Sequence, residues 1–263
     1  MSKAVYEVYA IKYAHHARRA AENFLGGLPQ DEHDGPMPLD YFVWLVRGGG
    51  REIVVDTGFS AAMAAKRRRE HIRCPSAGLA LLGCEAAAVK DVVVTHLHYD
   101  HIGNFELFPQ AEFHLQDQEM RYATGRHMGE PVFRGAYELE DVVGMVRRVY
   151  AGRVRFHDGD AEIAPGVWLH LIGGHTMGLQ VARVATRRGW VVLASDASHF
   201  YANMEQLRPF PILYNAGDMV QGYRRLRALA DSPAHIIPGH DPLVMQRYPA
   251  PAKDLEGIAV RLD

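Results

Sequence analysis

The chain has 263 residues, with 29 Lys and Arg against 31 Asp and Glu for a formal net charge of -2. At 48% hydrophobic and 23% charged residues it has a globular composition, and its length lets it bury roughly 70–75% of its unfolded surface without help from disulfides. The charge balance argues against a nucleic-acid binder, which is basic as a rule, and Cys74 and Cys84 are too few for a disulfide framework or a zinc ribbon.

In chain order, residues 4–13 alternate as a strand does, with Val5, Tyr9, Ile11 and Tyr13 on one side and Tyr6, Val8 and Ala10 on the other. Both sides are apolar, so both faces of the sheet are expected to be covered. A loop rich in Gly, Pro and acids follows from Gly26 to Pro38. Two β-rich runs, Tyr41–Val46 and Glu52–Val55, then flank Gly48-Gly49-Gly50 as the arms of a hairpin. Residues 60–72 lack Gly and Pro and predict a helix, whose Lys66-Arg67-Arg68-Arg69 run is expected to be a solvated face. Further strands are predicted at Asp91–Thr95, Glu112–Leu115, Val167–Ile172, Leu179–Ala185, Trp190–Ala194 and His235–Ile237. Helices are predicted at Asp117–Tyr122, in part of 136–148, and at Asp218–Ala230, where Met219, Tyr223, Leu226 and Ala230 recur at helical spacing. Strands followed by helices twice over suggest layered sheets covered by helices. No repeat, linker or composition shift divides residues 1–263, so one domain is expected. With no secretory signal at the start and no run of about 18 apolar residues, the expected location is the cytoplasm, in a reducing environment and away from membranes.

The chemistry is concentrated in histidine, of which there are 15. After the apolar strand ending at Thr95 comes His96-Leu97-His98-Tyr99-Asp100-His101, four potential ligands within six residues. In extended chain His96 and His98 project to one side, and a turn into helix would carry Asp100 and His101 to a neighbouring point. Four side chains so close in sequence rarely close one tetrahedral shell, so two ions are the natural reading. Three more groups sit at strand ends beside small residues: His175 after Gly173-Gly174, Asp196 at the end of Trp190–Ser195, and His240 after Pro238-Gly239. A buried carboxylate such as Asp196 needs a partner, and a cation is the simplest one.

These blocks, in this order, resemble the signature of the metallo-β-lactamase superfamily, His-x-His-x-Asp-His followed by a His, an Asp and a last His. The resemblance runs from Val54-Val55-Asp56-Thr57-Gly58 to Pro238-Gly239-His240. It implies a four-layer αββα sandwich in the α/β (α+β) class. It also implies that His96, His98 and His175 hold one divalent metal, that Asp100, His101 and His240 hold a second, and that Asp196 bridges them, with Asp56 supporting the site from behind. Zinc is the metal that such an imidazole and carboxylate shell suggests.

Within the superfamily the chain is most similar to the N-acyl homoserine lactone lactonases and the related pyridoxolactonases. The likeness rests on the long N-terminal loop before Val-Asp-Thr-Gly, on Asp196-Ala197-Ser198 and on Gly239-His240-Asp241. It implies a hydrolase that opens a small lactone, most naturally an N-acyl homoserine lactone in quorum quenching, by attack of a metal-bound hydroxide on the carbonyl, with Asp100 shuttling a proton to the leaving alkoxide. Those lactonases carry a Tyr three residues after the bridging Asp, where this chain has His199; either His199 or Tyr201 would replace its contact with the substrate carbonyl. His15 and His16 are expected to stay off the metals. Alternatives are another cyclic ester, a cyclic amide or a thioester as substrate, a mononuclear iron dioxygenase, and a non-catalytic effector binder. Phe24, Leu25, Met128, Phe133, Phe210, Ile212 and Tyr214 are candidates for shaping the pocket. The partner expected is a small-molecule lactone. A homodimer is also open, since Ala77–Leu82 could pack against either a second copy or the chain itself.

Overall fold

A computed structural model describes residues 4–30 and 32–263. Thirteen strands form two sheets: β1 (Glu7–His16), β2 (Leu39–Gly48), β3 (Arg51–Val55), β4 (Glu70–His71), β5 (Asp91–Val93), β6 (Glu112–Gln116) and β7 (Val154–His157) in the first, and β8 (Ala161–Ala164), β9 (Val167–Leu171), β10 (Gln180–Thr186), β11 (Gly189–Ser195) and β12 (Ile236–Pro238) in the second, with β13 (Ala259–Arg261) returning to the edge of the first. The first sheet runs β13-β1-β2-β3-β5-β6-β7, with β4 beside β1, and the second runs β12-β11-β10-β9-β8. The helices are α1 (Ala61–Arg67), α2 (Pro75–Leu81), α3 (Tyr99–Ile102), α4 (Asp117–Ala123), α5 (Pro131–Arg134), α6 (Leu139–Tyr150), α7 (Tyr201–Gln206), α8 (Ala216–Leu229) and α9 (Leu243–Arg247).

The alternation read from the sequence sorts the side chains into two cores. Tyr6, just before β1, and Val8, Ala10, Phe42, Trp44 and Val46 of β1 and β2 face the second sheet and pack with Leu169, Val181, Val184 and Leu193. Their neighbours Tyr9, Ile11, Tyr13, Tyr41, Val43 and Leu45 face the helices, packing with Phe59, Leu79, Phe105 and Met145. On the far side of the second sheet α8 contributes Met219, Tyr223 and Leu226. The order is helix, sheet, sheet, helix, the αββα sandwich that was expected. Among the described residues no helix is long and apolar enough to cross a membrane.

Most predicted elements stand within a residue or two. The largest departure is the helix predicted over 60–72. Ser60 caps α1, its hydroxyl accepting from the Met63 amide, but the helix ends at Arg67. Arg68 takes the left-handed conformation at φ 56°, and Glu70–His71 then pair with His15 and Ala14 of β1. Propensity alone does not register this competition from a waiting sheet edge. Strands β7, β8 and β13 span only four, four and three residues, too short for an alternating pattern to stand out. In α2, Gly78 and Leu79 are buried, and a Cβ on Gly78 would press into Ile11, so that face packs against the chain itself, while Ala77, Ala80 and Leu81 stay exposed.

Candidate metal centre

Five strand ends converge. β3 and β5 run parallel in the first sheet, β11 and β12 run parallel in the second, and β9 points the same way as β11. Their C-terminal ends deliver Asp56, the 95–101 segment, the loop carrying His175, Asp196 and His240 to one edge. Gln180 of β10 couples the sheets there, donating to the Val94 and His114 carbonyls at 2.8 and 3.0 Å, while its amide donates to the Thr95 carbonyl.

The 95–101 segment does what its spacing predicts. Leu97 points into the core, while His96 and His98 share the opposite side with ring centroids 4.5 Å apart. The chain then turns into α3, which brings in Asp100 and His101. Asp196 lies between two groups of side chains. Its Oδ2 is 3.1 Å from His175 Nε2 and 3.7 Å from His96 Nε2, and Oδ1 is 2.9 Å from His240 Nε2 and 3.3 Å from His101 Nε2. His98 Nδ1 is 3.0 Å from His175 Nε2, and Asp100 Oδ2 lies 3.6 and 3.8 Å from His101 and His240. Around a tetrahedral ion with bonds near 2.1 Å, ligand atoms lie about 3.4 Å apart, so these spacings fit atoms that could bind an ion directly. All seven predicted residues are brought together, as His96, His98, His175 and Asp196 in one cluster and Asp100, His101 and His240 in another.

The outer atoms of the imidazoles are fixed so that the inner ones face the centre. Asp56 accepts from His101 Nδ1 at 2.7 Å, the Ile212 carbonyl from His175 Nδ1 at 2.7 Å, and the Asp40 carbonyl from His240 Nδ1 at 3.0 Å. Such contacts set tautomer and orientation. The remaining Nε2 atoms of His96 and His101 are buried with no hydrogen-bond partner among the described residues, a cost that a bound cation would remove.

Charge in the centre is frustrated. Burial opposes the charge on Asp196, yet the imidazoles of His199, His240, His101 and His175 hold its carboxyl well below the usual range. Burial, and then the neighbouring imidazoles, keep His96 well below its ordinary value. Burial also lowers His101, but the carboxylates of Asp196, Asp100 and Asp56 outweigh it and push its pKa well up. The donor set fits a pair of divalent cations.

Two of the four left-handed non-glycine residues among the described ones lie at this edge. Asp56 (φ 61°) and Ser195 (φ 45°) are buried, non-glycine residues in the left-handed region. Asp56 accepts from the Thr95 amide and hydroxyl, both at 2.8 Å, and Ser195 Oγ lies 3.0 Å from the Thr95 hydroxyl. The turn at Ser195 presses on β12's end. A Cβ at Gly239 would lie 2.7 Å from the Ser195 carbonyl, so only glycine lets His240 come this close.

Sequence reasoning missed Glu119. This buried residue of α4 accepts four hydrogen bonds: from the Leu97 amide (2.9 Å) and Tyr137 hydroxyl (2.8 Å) on one oxygen, and from the Thr176 hydroxyl (2.6 Å) and Gly178 amide (3.1 Å) on the other. It thereby ties the His96–His98 segment to the His175 loop, and Tyr137 sets its ring edge-on to His98 at 4.6 Å. Gly178 has no room for a Cβ, which would meet the Glu119 backbone. No local signal marks it, since its predicted helix Asp117–Tyr122 is polar, with Asp117, Gln118 and Arg121 beside it.

His199 lines the pocket over the centre, stacked on Phe210 at 3.7 Å, with Nε2 3.1 Å from Asp196 Oδ2 and Nδ1 buried without a partner. Burial brings its pKa down to about 3 against the pull of Asp196, so the ring is neutral. Tyr201 is elsewhere: its ring lies under Arg247 at 3.8 Å and belongs to the apolar cluster around the second sheet, so it does not take the place open between the two residues. His15 pairs with Asp40 at 2.7 Å and lies outside the metal-capable clusters among the described residues, as does His16.

Of the residues considered for shaping the pocket, Phe210 and Ile212 line it; Phe133 and Tyr214 join an aromatic cluster with Tyr122 and His127, and Met128 packs against the helix-side core. Phe24 lies beneath Arg208, and Leu25 is exposed. The basic run also departs from expectation. Arg67 and Arg69 line the pocket, because the chain reversal at Arg68 turns them inward instead of leaving them on a solvated helix face.

The model of the metallo-beta-lactamase superfamily matches residues 37–240. A probable metallo-hydrolase of Mycobacterium tuberculosis is 26% identical over 174 residues, 60% of this chain and 53% of the relative. An N-acyl homoserine lactonase of a Bacillus species is 30% identical over 130 residues, 49% of this chain and 46% of the relative. The chain thus spans about half the length of the curated relatives it matches. An N-acyl homoserine lactone hydrolase, solved with the product N-hexanoyl-L-homoserine at its catalytic metal centre, superposes with a TM-score of 0.74 at 21% identity, covering 92% of this chain and 96% of that one. With the sandwich, the order of the ligand blocks and a family match across most of its length, the chain belongs to the metallo-β-lactamase superfamily.

Proposed function

We propose that the protein is a dinuclear metal-dependent hydrolase that opens a small lactone, with N-acyl homoserine lactones the substrates that its relatives' names suggest. The observation that carries this reading is Asp196, whose two oxygens face two separate groups of donors. His96, His98 and His175 would hold one ion, Asp100, His101 and His240 the other, and Asp196 both; the imidazole and carboxylate set suits zinc. Bound there, divalent cations supply hydroxide at neutral pH and polarise a carbonyl.

The chain's own residues do the rest. Asp100 faces the pocket, and its carboxylate is placed to carry a proton to the alkoxide that leaves when the ring opens. His199, neutral and packed flat on Phe210, holds one wall of the pocket and hydrogen-bonds Asp196, which keeps that carboxylate oriented. Tyr41 and Tyr99 line the same pocket with their hydroxyls 3.3 Å apart, so phenol groups are at hand to hydrogen-bond a substrate oxygen. Residues 1–263 act as one domain in this reading, working in the cytoplasm on a small molecule.

The test is ring opening, followed by proton release, on acyl homoserine lactones of short to long chain and on simple γ- and δ-lactones with zinc-loaded protein. Turnover of lactones supports the reading. Two bound ions with every lactone intact would remove it and move the search to cyclic amides and thioesters.

A further inference from the structure

The mouth of the pocket is cationic. Arg18, Arg67 and Arg69 line it above His98, Asp100, His175, Asp196, His199 and His240. Arg67 is already neutralised: it pairs with Glu138 at 2.6 Å and lies over the Tyr99 ring at 3.9 Å. Arg18 and Arg69 are different, since among the described residues neither has a carboxylate partner. Arg69 donates to the Tyr99 hydroxyl (3.2 Å) and the Arg67 carbonyl (2.8 Å), both neutral acceptors. Arg18 donates to the Glu22 carbonyl at 2.6 Å, stands over the Phe210 ring at 5.0 Å and leaves its buried Nε without any partner. The Glu22 carboxylate is occupied by the Arg19 amide at 2.8 Å. Nearby His16 registers the excess of positive charge: burial first, then Arg69 and Arg18, press its pKa down to about 4.

Two half-buried guanidinium groups facing one cavity repel each other unless an anion arrives to share them. The carboxylates on the cavity floor, Asp100 and Asp196, cannot serve if they are committed to cations. The cavity is also narrow, about 90 Å³. We propose that the substrate carries a compact anionic group, a carboxylate or a phosphate, that Arg18 and Arg69 hold while the bond to be cleaved lies against the His98, His175 and Asp196 side. The planar fork of a guanidinium matches either anion. This inference rests on the lactonase reading for its ring, and it narrows the substrate to a charged lactone; a neutral acyl homoserine lactone would leave both arginines unanswered.

A matched pair tests it: γ-butyrolactone γ-carboxylate and its methyl ester, which share a ring and differ in charge. Wild type should open the carboxylate with a kcat/KM at least tenfold higher, about what one charge-assisted hydrogen bond contributes. Arg18→Met and Arg69→Met should each lose that preference through KM with kcat little changed, and Arg69→Lys should keep part of it. Calorimetry with glutarate and with inorganic phosphate reads binding without turnover and tells the two anions apart; the methionine variants should bind the preferred one at least tenfold more weakly while keeping wild-type melting temperature and metal content. Equal turnover of acid and ester by wild type, or unchanged anion binding in both methionine variants, overturns the proposal and leaves the lactonase reading intact. If neither lactone opens but the arginine-dependent binding of glutarate or phosphate is found, the lactonase reading falls and the anion site stands.

Discussion

Glu119 offers the sharpest test of how the metal centre is held. Glu119→Ala removes the acceptor for two backbone amides, Leu97 and Gly178, and for the Tyr137 and Thr176 hydroxyls. A buried donor left without a partner costs about 1–3 kcal/mol. The hydroxyls can turn elsewhere, but the two amides cannot, which sets a loss of roughly 2–6 kcal/mol. Part is returned, because burial holds the Glu119 carboxyl above its usual range despite its four hydrogen bonds, so its removal also relieves a buried charge. A net loss of about 3 kcal/mol is expected, a large share of the ~5–15 kcal/mol that keeps a protein folded. Glu119→Gln, which retains one oxygen and turns an amide toward the other pair of donors, should fall between. Because Glu119 joins the His98 segment to the His175 loop, zinc affinity should fall about 10–100-fold, as for other residues that orient metal ligands. Urea unfolding of the chelated protein and competition for zinc against a chromophoric chelator measure the two effects separately. Stability within 0.5 kcal/mol of wild type, a margin that surface changes reach (roughly ±0.5), together with unaltered zinc affinity, would refute the role given to Glu119.

Other outcomes follow from single side chains. Burial, and next the neighbouring Glu138, push Asp141 up to about 6. A carboxyl whose folded-state pKa is raised favours the folded state below its unfolded value, near 4, and loses that contribution as pH rises through about 6. Asp141→Asn should therefore change little at pH 4 and stabilise by up to about 2 kcal/mol at pH 7.5; an equal effect at both pH values in urea unfolding would count against the assignment. His199→Phe should lower turnover with two ions still bound per chain. Loss of one ion in that variant would make His199 a ligand, and wild-type turnover would take it out of the reaction altogether.

The layers of the fold were legible because β1 and β2 are apolar on both faces: Tyr9, Ile11 and Tyr13 go to the helices, and Tyr6, Val8 and Ala10 go to the second sheet. The candidate metal centre was legible because its residues either crowd one turn, from His96 to His101, or follow strands beside small residues, where sequence position largely determines spatial position. What escaped lies across the chain. Glu119 acts through partners 22 and 57 positions away, at Leu97 and Thr176, and no local pattern marks such contacts. The arginines were misplaced because the reversal at Arg68 depends on pairing of Glu70 and His71 with β1. His199 and Tyr201 differ by two residues, but one ends on the pocket and the other starts α7 in the apolar cluster around the second sheet.

The most direct test of the central claim is a zinc titration of chelated protein in which bound metal and lactone opening are followed together. If Asp196 joins two ions and both are needed for hydrolysis, activity should appear in step with binding and level off at two zinc ions per chain, and Asp196→Ala should bind weakly and open no ring. Ring opening by the metal-free protein, or two tightly bound ions without hydrolysis of any lactone, would contradict it.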